Sequence, residues 1–184
     1  MTPRADQPPT EQDGWSLQPY RDNDAAFLTS LLGQGEAPLL VGGIARTAPM
    51  LNAFLMSLLQ PMLWALPTTC RLDGELKGVI TNPKPLVHNL SSTVLPFFLG
   101  PREGLVPFRL YLAQLFWYLP LNRCSAQVPV VADSTAELFA AAGFKQEGVL
   151  RQHREVGGQR FDVLVFGMLR SDFEATISVD SAKR

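Results

Sequence analysis

Hydrophobic and polar residues alternate over Trp15–Tyr20, which predicts a half-buried β-strand. The polar run that follows contains Asp22 and Asp24, and either of them can cap a helix over Ala25–Leu32. A loop rich in Gly and Pro then leads to a short apolar piece, Leu39–Ile44. The pattern therefore predicts a strand and a helix at the start of the chain.

The segment Met50–Leu66 is almost continuously apolar and predicts a buried or interface helix, kinked or split at Pro61. A membrane-spanning helix is the alternative. That alternative needs roughly 20 clean apolar residues, whereas Asn52, Gln60 and Pro61 interrupt the segment. We therefore expect no membrane span.

Three strand-like runs follow this segment. Thr68–Leu72 and Leu76–Thr81 flank Asp73-Gly74, a dipeptide that favours a tight hairpin turn. Ser91–Leu99 is a further apolar run that ends at a glycine. The middle of the chain therefore predicts strands joined by short turns.

The next part of the chain predicts a helix, a strand and a second helix. Pro107–Leu119 is an apolar helix, and Pro107 suits its first position because that N–H needs no partner. Cys124–Val131 has the pattern of a strand. Ser134–Glu137 forms a capping box, and Gly143 can end the helix that it opens.

A hairpin ends the predicted structure. Its strands are Val149–Val156 and Phe161–Leu169, joined by Gly157-Gly158-Gln159. The order of all these elements predicts an α+β (mixed α/β) protein with a single mixed, mostly antiparallel sheet flanked by helices.

Length and composition favour one domain, because 184 residues with 46% hydrophobic content suffice for a single core. We expect this domain over residues 14–173, between flexible polar tails at residues 1–13 and 174–184, with no secretory leader. Cys70 and Cys124 lie far apart and lack metal-ligand neighbours. They indicate a reduced, cytoplasmic protein.

The charge balance argues against two classes of partner. A formal net charge of −1 provides no basic field for nucleic acid or for an anionic membrane surface. His88 and His153 have no acidic or Cys residues at metal-ligand spacing, so no metal site is predicted.

A set of short motifs runs along the chain in a defined order: Leu17, Pro19 and Asp24; Asp73–Gly78; Phe98–Pro101; Arg123; Gly143-Phe144; Glu147-Gly148; Gly158; Asp162; and Leu169. With the order of elements, they resemble the GNAT N-acetyltransferase superfamily over roughly Trp15–Phe173, particularly the subgroup similar to ribosomal-protein N-acetyltransferases. The resemblance implies the GNAT fold and, if the protein is active, acetyl-coenzyme A as its cofactor.

The resemblance also implies where the cofactor would bind. In the family, the pantetheine arm pairs with backbone between two strands that splay apart, here Ser91–Leu99 and Cys124–Val131. The pyrophosphate lies at the start of the next helix, where N–H groups and the helix dipole favour anions.

The corresponding loop contains the candidate cofactor-binding residues, which are Arg102, Gly104, Leu105 and Val106. It is shorter than the family pattern and has one glycine. Pro107 removes a further N–H donor. The resemblance therefore implies a degraded pyrophosphate loop.

The proton chemistry of the family depends on a base for the amine and commonly on a tyrosine that protonates the departing thiolate. Phe139 stands at the tyrosine position, and Ala132 stands where an Asn often assists. Ser91–Leu99 contains no acid, and its Pro96 removes a backbone donor. Glu103 is the nearest carboxylate and the candidate base if the protein is active.

These departures favour a GNAT-fold protein with impaired or lost acetyl transfer, without a catalytic residue or cofactor. Such a protein would serve as a structural or interaction subunit of an oligomer or larger assembly, in the cytoplasm or in a virion-type particle. Its partner surfaces would be the apolar helices at residues 50–66 and 107–119. The alternative is an active acyl-CoA-dependent N-acetyltransferase that transfers acetyl to an amine.

Overall fold

The computed structural model describes residues 8–41, 67–82, 85–86 and 90–181. The strands are β1 Glu11–Gln12, β2 Trp15–Pro19, β3 Thr68–Leu72, β4 Glu75–Thr81, β5 Pro85–Leu86, β6 Ser91–Thr93, β7 Leu95–Phe98, β8 Arg123–Pro129, β9 Lys145–Val156 and β10 Gln159–Leu169. The helices are α1 Ala25–Leu32, α2 Ala37–Val41, α3 Leu105–Tyr118, α4 Asp133–Ala142 and α5 Arg170–Ser181, with 3-10 turns at Asp22–Asp24 and Pro101–Gly104.

The strands form two five-stranded halves. One half has the order β1-β2-β3-β4-β7, and the other has the order β5-β6-β8-β10-β9. Among the described strands, β6 and β8 run parallel and the other neighbours run antiparallel. The mixed, mostly antiparallel α+β architecture is confirmed. The predicted strand Ser91–Leu99 is divided between the two halves, because its two ends pair with different neighbours.

Two tight turns form as their dipeptides predict. Asp73 and Gly74 have φ values of 49° and 87°, and Gly157 and Gly158 have values of 61° and 83°. Two successive positive φ angles are the signature of a two-residue hairpin turn whose twist matches that of the strands. Gly143, with φ of 101°, ends α4 as expected.

Helix α3 contributes to the hydrophobic core. Phe108, Leu112 and Leu115 on this helix are fully buried, whereas Tyr118 at its end is 48% exposed. The core of the chain therefore covers most of the apolar surface of this helix. The predicted helix over residues 50–66 lies outside the described residues.

Secondary structure extends beyond residues 14–173 at both ends, while the domain bounds stay a prediction. β1 begins at Glu11, and α5 continues to Ser181. Helix α5 is held to the core because Phe173 stacks on Phe116 at 5.2 Å between ring centroids. The helix also begins at Arg170, whose guanidinium donates to the carbonyls of Leu119 and Leu121 in the loop between α3 and β8. Of the described helices, none is long and apolar enough to cross a membrane.

Two helix starts differ from expectation. Helix α3 begins at Leu105, so Pro107 is its third residue, which is tolerated because N–H groups of the first turn need no intrahelical partner. The side chain of Asp24 does not cap α1. It accepts hydrogen bonds from the Arg21 N–H at 3.2 Å and from the Arg71 guanidinium at 2.8 Å.

Candidate functional site

The two halves of the sheet separate at Val94. Its N–H donates to the carbonyl oxygen of Ser125 at 3.0 Å, which continues the β6–β8 pairing by one residue. Beyond this point β7 pairs with β4, while β8 continues beside β10. The strands therefore diverge and leave a β7–β8 gap, bordered by Leu95–Phe98 on one side and Ala126–Pro129 on the other.

The pairing of β7 with β4 determines which of its backbone groups face the gap. The Leu99 N–H donates to the Lys77 carbonyl at 3.2 Å, so this residue faces β4. Backbone direction alternates along a strand. Pro96 and Phe98 therefore face the gap, and proline contributes no N–H there.

The same reasoning applies to β8. The Val130 N–H donates to the Asp162 carbonyl at 3.0 Å, on the side of β10. Gln127 and Pro129 therefore face the gap, as the alternation requires. Only Gln127 of these two can offer an N–H.

A proline thus stands on each border of the gap. Proline is tolerated in a sheet only where its nitrogen faces away from a paired strand, so Pro96 and Pro129 cost the sheet no ladder hydrogen bond. The sequence prediction that Pro96 removes a donor near the splayed strands agrees with this geometry. The sequence analysis did not place Pro129 in the site, although a proline inside a strand indicates an edge without a hydrogen-bonded neighbour.

Helix α2 packs close to both β7 and β8. Ala37 and Leu40 on this helix are buried, with exposed fractions of 5% and 6%. A cavity of about 10 Å³ remains between α2, β7 and the start of α4. This volume holds about one water molecule. Helix α2 therefore lies beside both borders of the gap.

Glu36, directly before α2, binds the start of α4. One carboxylate oxygen accepts the Ser134 N–H at 2.9 Å, and the other accepts the Thr135 N–H at 2.8 Å and the Thr135 hydroxyl at 2.7 Å. An anion is favourable there because the first N–H groups of a helix lack intrahelical partners.

The expected capping box of Ser134 and Glu137 is replaced by this contact. Ala132 occupies the capping position of α4 and carries no side-chain acceptor. Glu36 was missed by sequence reasoning because it lies 98 positions before Ser134, and no local pattern links the two.

The other end of α2 is held by β9. The Arg154 guanidinium donates to the Leu40 carbonyl at 3.1 Å. Burial lowers the pKa of Arg154 below its ordinary value, yet an arginine stays charged in proteins. A cation near the last carbonyls of a helix is favourable.

Comparison with solved structures identifies the architecture, whereas no family model matches the chain. A spermidine N-acetyltransferase from Vibrio cholerae, in complex with CoA and spermine, has a TM-score of 0.77 at 15% identity over 89% of this chain and 99% of that chain. The ribosomal L7/L12 α-N-protein acetyltransferase RimL in complex with coenzyme A has a TM-score of 0.72 at 14% identity, over 88% and 97% of the two chains. RimJ from Mycobacterium smegmatis, in complex with CoA-disulfide, has a TM-score of 0.71 at 19% identity, over 90% and 89%.

The chain has the GNAT N-acetyltransferase fold. The fold expected from the motifs is thereby confirmed.

Phe139 lies in an aromatic cluster of this GNAT fold. Its ring meets those of Phe108 and Phe144 edge-on, at 5.3 and 4.9 Å between centroids, and stacks on Phe166 at 5.7 Å. Phe139 is 1% exposed. Phe139, where the sequence resemblance implies a tyrosine, is therefore a core side chain without a proton to donate.

The structure places the candidate base, Glu103, at the surface in the turn before α3. The pKa of Lys77 is raised chiefly by the hydrogen bond and charge of Glu75, and to a smaller degree by the charge of Glu103. Glu103 does not line the small cavity beside α2, whereas Glu36 does. The role of Glu103 as a base stays a prediction.

The candidate phosphate loop runs from a 3-10 turn directly into α3. Gly104 is buried, and a Cβ atom there would overlap the ring of Phe98. Leu105 and Val106 are partly buried against the core, and the side chain of Arg102 lies outside the described part of the structure. Close packing thus accounts for Gly104, while the phosphate contacts of these residues stay a prediction.

The described residues provide neither a metal site nor a reactive cysteine thiol. They contain no group of three or more His, Cys, Asp or Glu residues that could hold a metal ion. Cys70 and Cys124 are free and buried, and burial raises the pKa of both thiols, that of Cys124 to about 12. Both therefore stay protonated and unreactive near neutral pH.

Proposed function

We propose that the protein binds an acyl-coenzyme A thioester in the β7–β8 gap and transfers the acyl group to an amine. The observation that carries this proposal is the divergence of β7 and β8 beyond Val94. Similar structures, the spermidine N-acetyltransferase and RimL, were solved with coenzyme A. The same class of cofactor therefore suits this fold.

The borders of the gap fit a pantetheine arm in part. Its amide groups need backbone partners, and the gap-facing positions offer N–H groups from Phe98 and Gln127 together with carbonyl oxygens. Pro96 and Pro129 each withhold a donor. Two of the four gap-facing positions therefore lack an N–H. We expect weaker binding of acyl-coenzyme A than if all four offered one.

The transfer step needs an amine nitrogen that attacks the thioester carbonyl, with cleavage of the carbon–sulfur bond. Bound coenzyme A supplies the activated acyl group. One proton must leave the amine and one must reach the departing thiolate. Phe139 cannot donate the second proton, so water supplies it. A positioned acid or base typically contributes about 10²- to 10⁴-fold to the rate, so we expect slow transfer.

The test is calorimetric titration of the full chain with acetyl-CoA, followed by thiol release with polyamine and peptide amine acceptors. We expect saturable binding, and weaker binding by Gln127→Pro by about three- to tenfold, since one hydrogen bond is worth about 0.5–1.5 kcal/mol. Gln127→Ala keeps the N–H and is the matched control. Absence of binding at millimolar acetyl-CoA would contradict the proposal.

A second candidate function is that of a GNAT-fold protein which has lost transfer and serves as a structural or interaction subunit. Phe139 and the two gap prolines favour it. Saturable acetyl-CoA binding with amine-dependent thiol release would exclude it. A stable oligomer in sedimentation without any thiol release would support it.

A further inference from the structure

We propose that Arg154 determines the choice of acceptor: the amine that receives the acyl group belongs to a molecule that also carries a carboxylate, and the Arg154 guanidinium pairs with that carboxylate. The inference rests on the proposed function, because it names the substrate class of the same site. It goes beyond that function because acyl transfer to an amine does not by itself require any charge on the rest of the acceptor.

Arg154 lies on β9, just beyond the open end of the β7–β8 gap. Pro129, the last residue of β8, pairs with Val163 of β10, and Val163 pairs in turn with Leu150 of β9. Arg154 pairs with Phe161, which is two residues further along β10. The β9–β10 hairpin therefore extends past the end of β8, and Arg154 is on this extension.

The side chain of Arg154 is directed towards α2. Its guanidinium donates to the Leu40 carbonyl at 3.1 Å. Leu40 in turn lines the small cavity together with Pro96–Phe98, the residues of β7 that border the gap. A single residue of α2 thus separates the guanidinium from this cavity. We therefore place the acceptor on the α2 side of the gap, where its anionic group would meet Arg154.

The anionic part of coenzyme A is expected elsewhere. The candidate pyrophosphate loop, Pro101–Gly104, directly follows β7. Strand β9 is at the outer edge of the half of the sheet that contains β8, with β10 between them. The pyrophosphate loop and Arg154 therefore belong to opposite sides of the gap, which favours the acceptor as the source of the anion.

The guanidinium of Arg154 has no carboxylate partner among the residues that the structure describes. Their ion pairs do not include it, and its hydrogen bond to a carbonyl uses one of five N–H donors. Both oxygens of Glu36, directly before α2, already accept hydrogen bonds from the start of α4. Arg154 is partly buried, and a cation removed from water is stabilised by an anion.

The sequence that continues from α2 supplies no carboxylate either. Between Glu36 and Asp73 the chain contains no Asp or Glu, and its charged residues there are Arg46 and Arg71. This stretch therefore carries positive charge alone, which favours an anionic ligand and disfavours a cationic one. A carboxylate suits a guanidinium because it accepts two parallel N–H bonds. A polyamine offers no such acceptor.

The experiment measures kcat/KM for thiol release from acetyl-CoA by the full-length chain with four acceptors. Three are tripeptide amides with an N-terminal alanine and with glutamate, glutamine or lysine as the second residue, and the fourth is spermidine. We expect the wild-type chain to prefer the glutamate peptide to the glutamine peptide by about ten- to hundredfold, as hydrogen bonds to a charged group provide. The lysine peptide and spermidine should be the poorest acceptors.

Variants of Arg154 separate recognition from a structural role. In Arg154→Gln the ratio of kcat/KM between the glutamate and glutamine peptides should fall to about one, and in Arg154→Glu the lysine peptide should become the preferred one. Arg154→Lys should be intermediate, because it keeps the charge without the planar fork. A structural role would lower kcat/KM for all acceptors by the same factor and leave these ratios unchanged.

Arg151→Gln is the matched control, because it removes an exposed arginine from the same strand. It should keep the preference for the glutamate peptide. Calorimetry with acetyl-CoA is carried out on every variant and should give the same affinity as the wild-type chain, and thermal melts establish that each variant is folded.

Equal kcat/KM for the glutamate and glutamine peptides in the wild-type chain, or an unchanged ratio in a folded Arg154→Gln, overturns the role of Arg154 and leaves the proposed function intact. Weaker acetyl-CoA binding by Arg154→Gln with an unchanged peptide preference also overturns it, because the guanidinium then binds an anionic group of the cofactor. Absence of thiol release with every acceptor overturns the proposed function, and this inference with it.

Discussion

At the scale of the residue, Pro96 shows how one side chain sets the chemistry of the gap. Its nitrogen faces away from β4, so the sheet is intact while the gap lacks a donor. We expect Pro96→Ala to restore an N–H into the gap and to strengthen acetyl-CoA binding about three- to tenfold, which corresponds to one hydrogen bond. Loss of the proline ring gives the unfolded chain more conformational freedom. The free energy of unfolding should therefore fall by about 0.4–1 kcal/mol.

Calorimetry and thermal melts check both parts of this prediction. Pro19→Ala, in β2, is the matched control, since it has the same effect on the unfolded chain without touching the gap. If Pro96→Ala and Pro19→Ala bind acetyl-CoA equally, the gap-facing backbone does not contact the ligand.

Phe139 permits a second test at this scale. Phe139→Tyr adds a hydroxyl at the position where the sequence resemblance implies one, so we expect kcat for thiol release to rise by at least about tenfold with KM little changed. Stability should fall by about 1–3 kcal/mol, because a hydroxyl enters an apolar cluster.

Phe166→Tyr is the control for this change, because its ring stacks on Phe139 in the same cluster. It should lower stability without raising kcat. An unchanged kcat in Phe139→Tyr would show that a hydroxyl at this position does not reach the departing thiolate.

Sequence reasoning identified Phe139 and Pro96 because each departs from a local motif. It missed Glu36, whose partners, Ser134 and Thr135, lie on α4, more than ninety positions away. A carboxylate in a loop has the same local pattern whether it is solvated or caps a distant helix. Long-range polar contacts of this kind follow from tertiary structure alone.

At the scale of the element, dipeptide turns were the most predictable feature. Asp73-Gly74 and Gly157-Gly158 adopt positive φ angles that few other residue pairs tolerate. The division of Ser91–Leu99 into β6 and β7 could not be predicted, because hydrophobic alternation is the same whichever neighbour a strand pairs with. The pairing partner changes at Val94, and only the assembled sheet determines that change.

The turn before α3 allows a test of whether Gly104 is needed for close packing or for anion binding. Gly104 has φ of −74°, which suits any residue, but a Cβ atom there would overlap the Phe98 ring. We expect Gly104→Ala to lower the free energy of unfolding by about 1–3 kcal/mol, as overpacking does. Denaturant titration measures this change.

Gly100→Ala is the matched control in the same turn. Its Cβ atom would meet the Glu103 side chain at 3.5 Å, an ordinary contact, so stability should change by less than about 0.5 kcal/mol. If Phe98→Leu relieves the cost of Gly104→Ala, the glycine is explained by packing. If Gly104→Ala is as stable as the wild-type chain, the packing explanation is wrong.

At the scale of the whole molecule, surface ion pairs join elements of the half that carries β8, β9 and β10. The Arg123 guanidinium hydrogen-bonds the Glu147 carboxylate and lowers its pKa. A hydrogen bond from the Lys145 ammonium, with a further one from the Leu169 N–H, lowers the pKa of Asp172. These pairs connect β8, β9 and α5.

The lowered pKa values set the direction of the pH dependence. A carboxylate whose pKa is lower in the folded state stabilises the fold above its unfolded pKa of about 4, and this stabilisation is lost as the pH falls through the folded pKa. We therefore expect the free energy of unfolding to fall on acidification from about pH 5 to about pH 3. Each exposed pair should contribute less than about 1 kcal/mol.

Glu147→Gln and Asp172→Asn should each make the free energy of unfolding depend less on pH in this range, while Glu11→Gln, on β1, should leave that dependence unchanged. Denaturant titrations across that pH range measure the slopes, and parallel curves for all variants would exclude these pairs as its source.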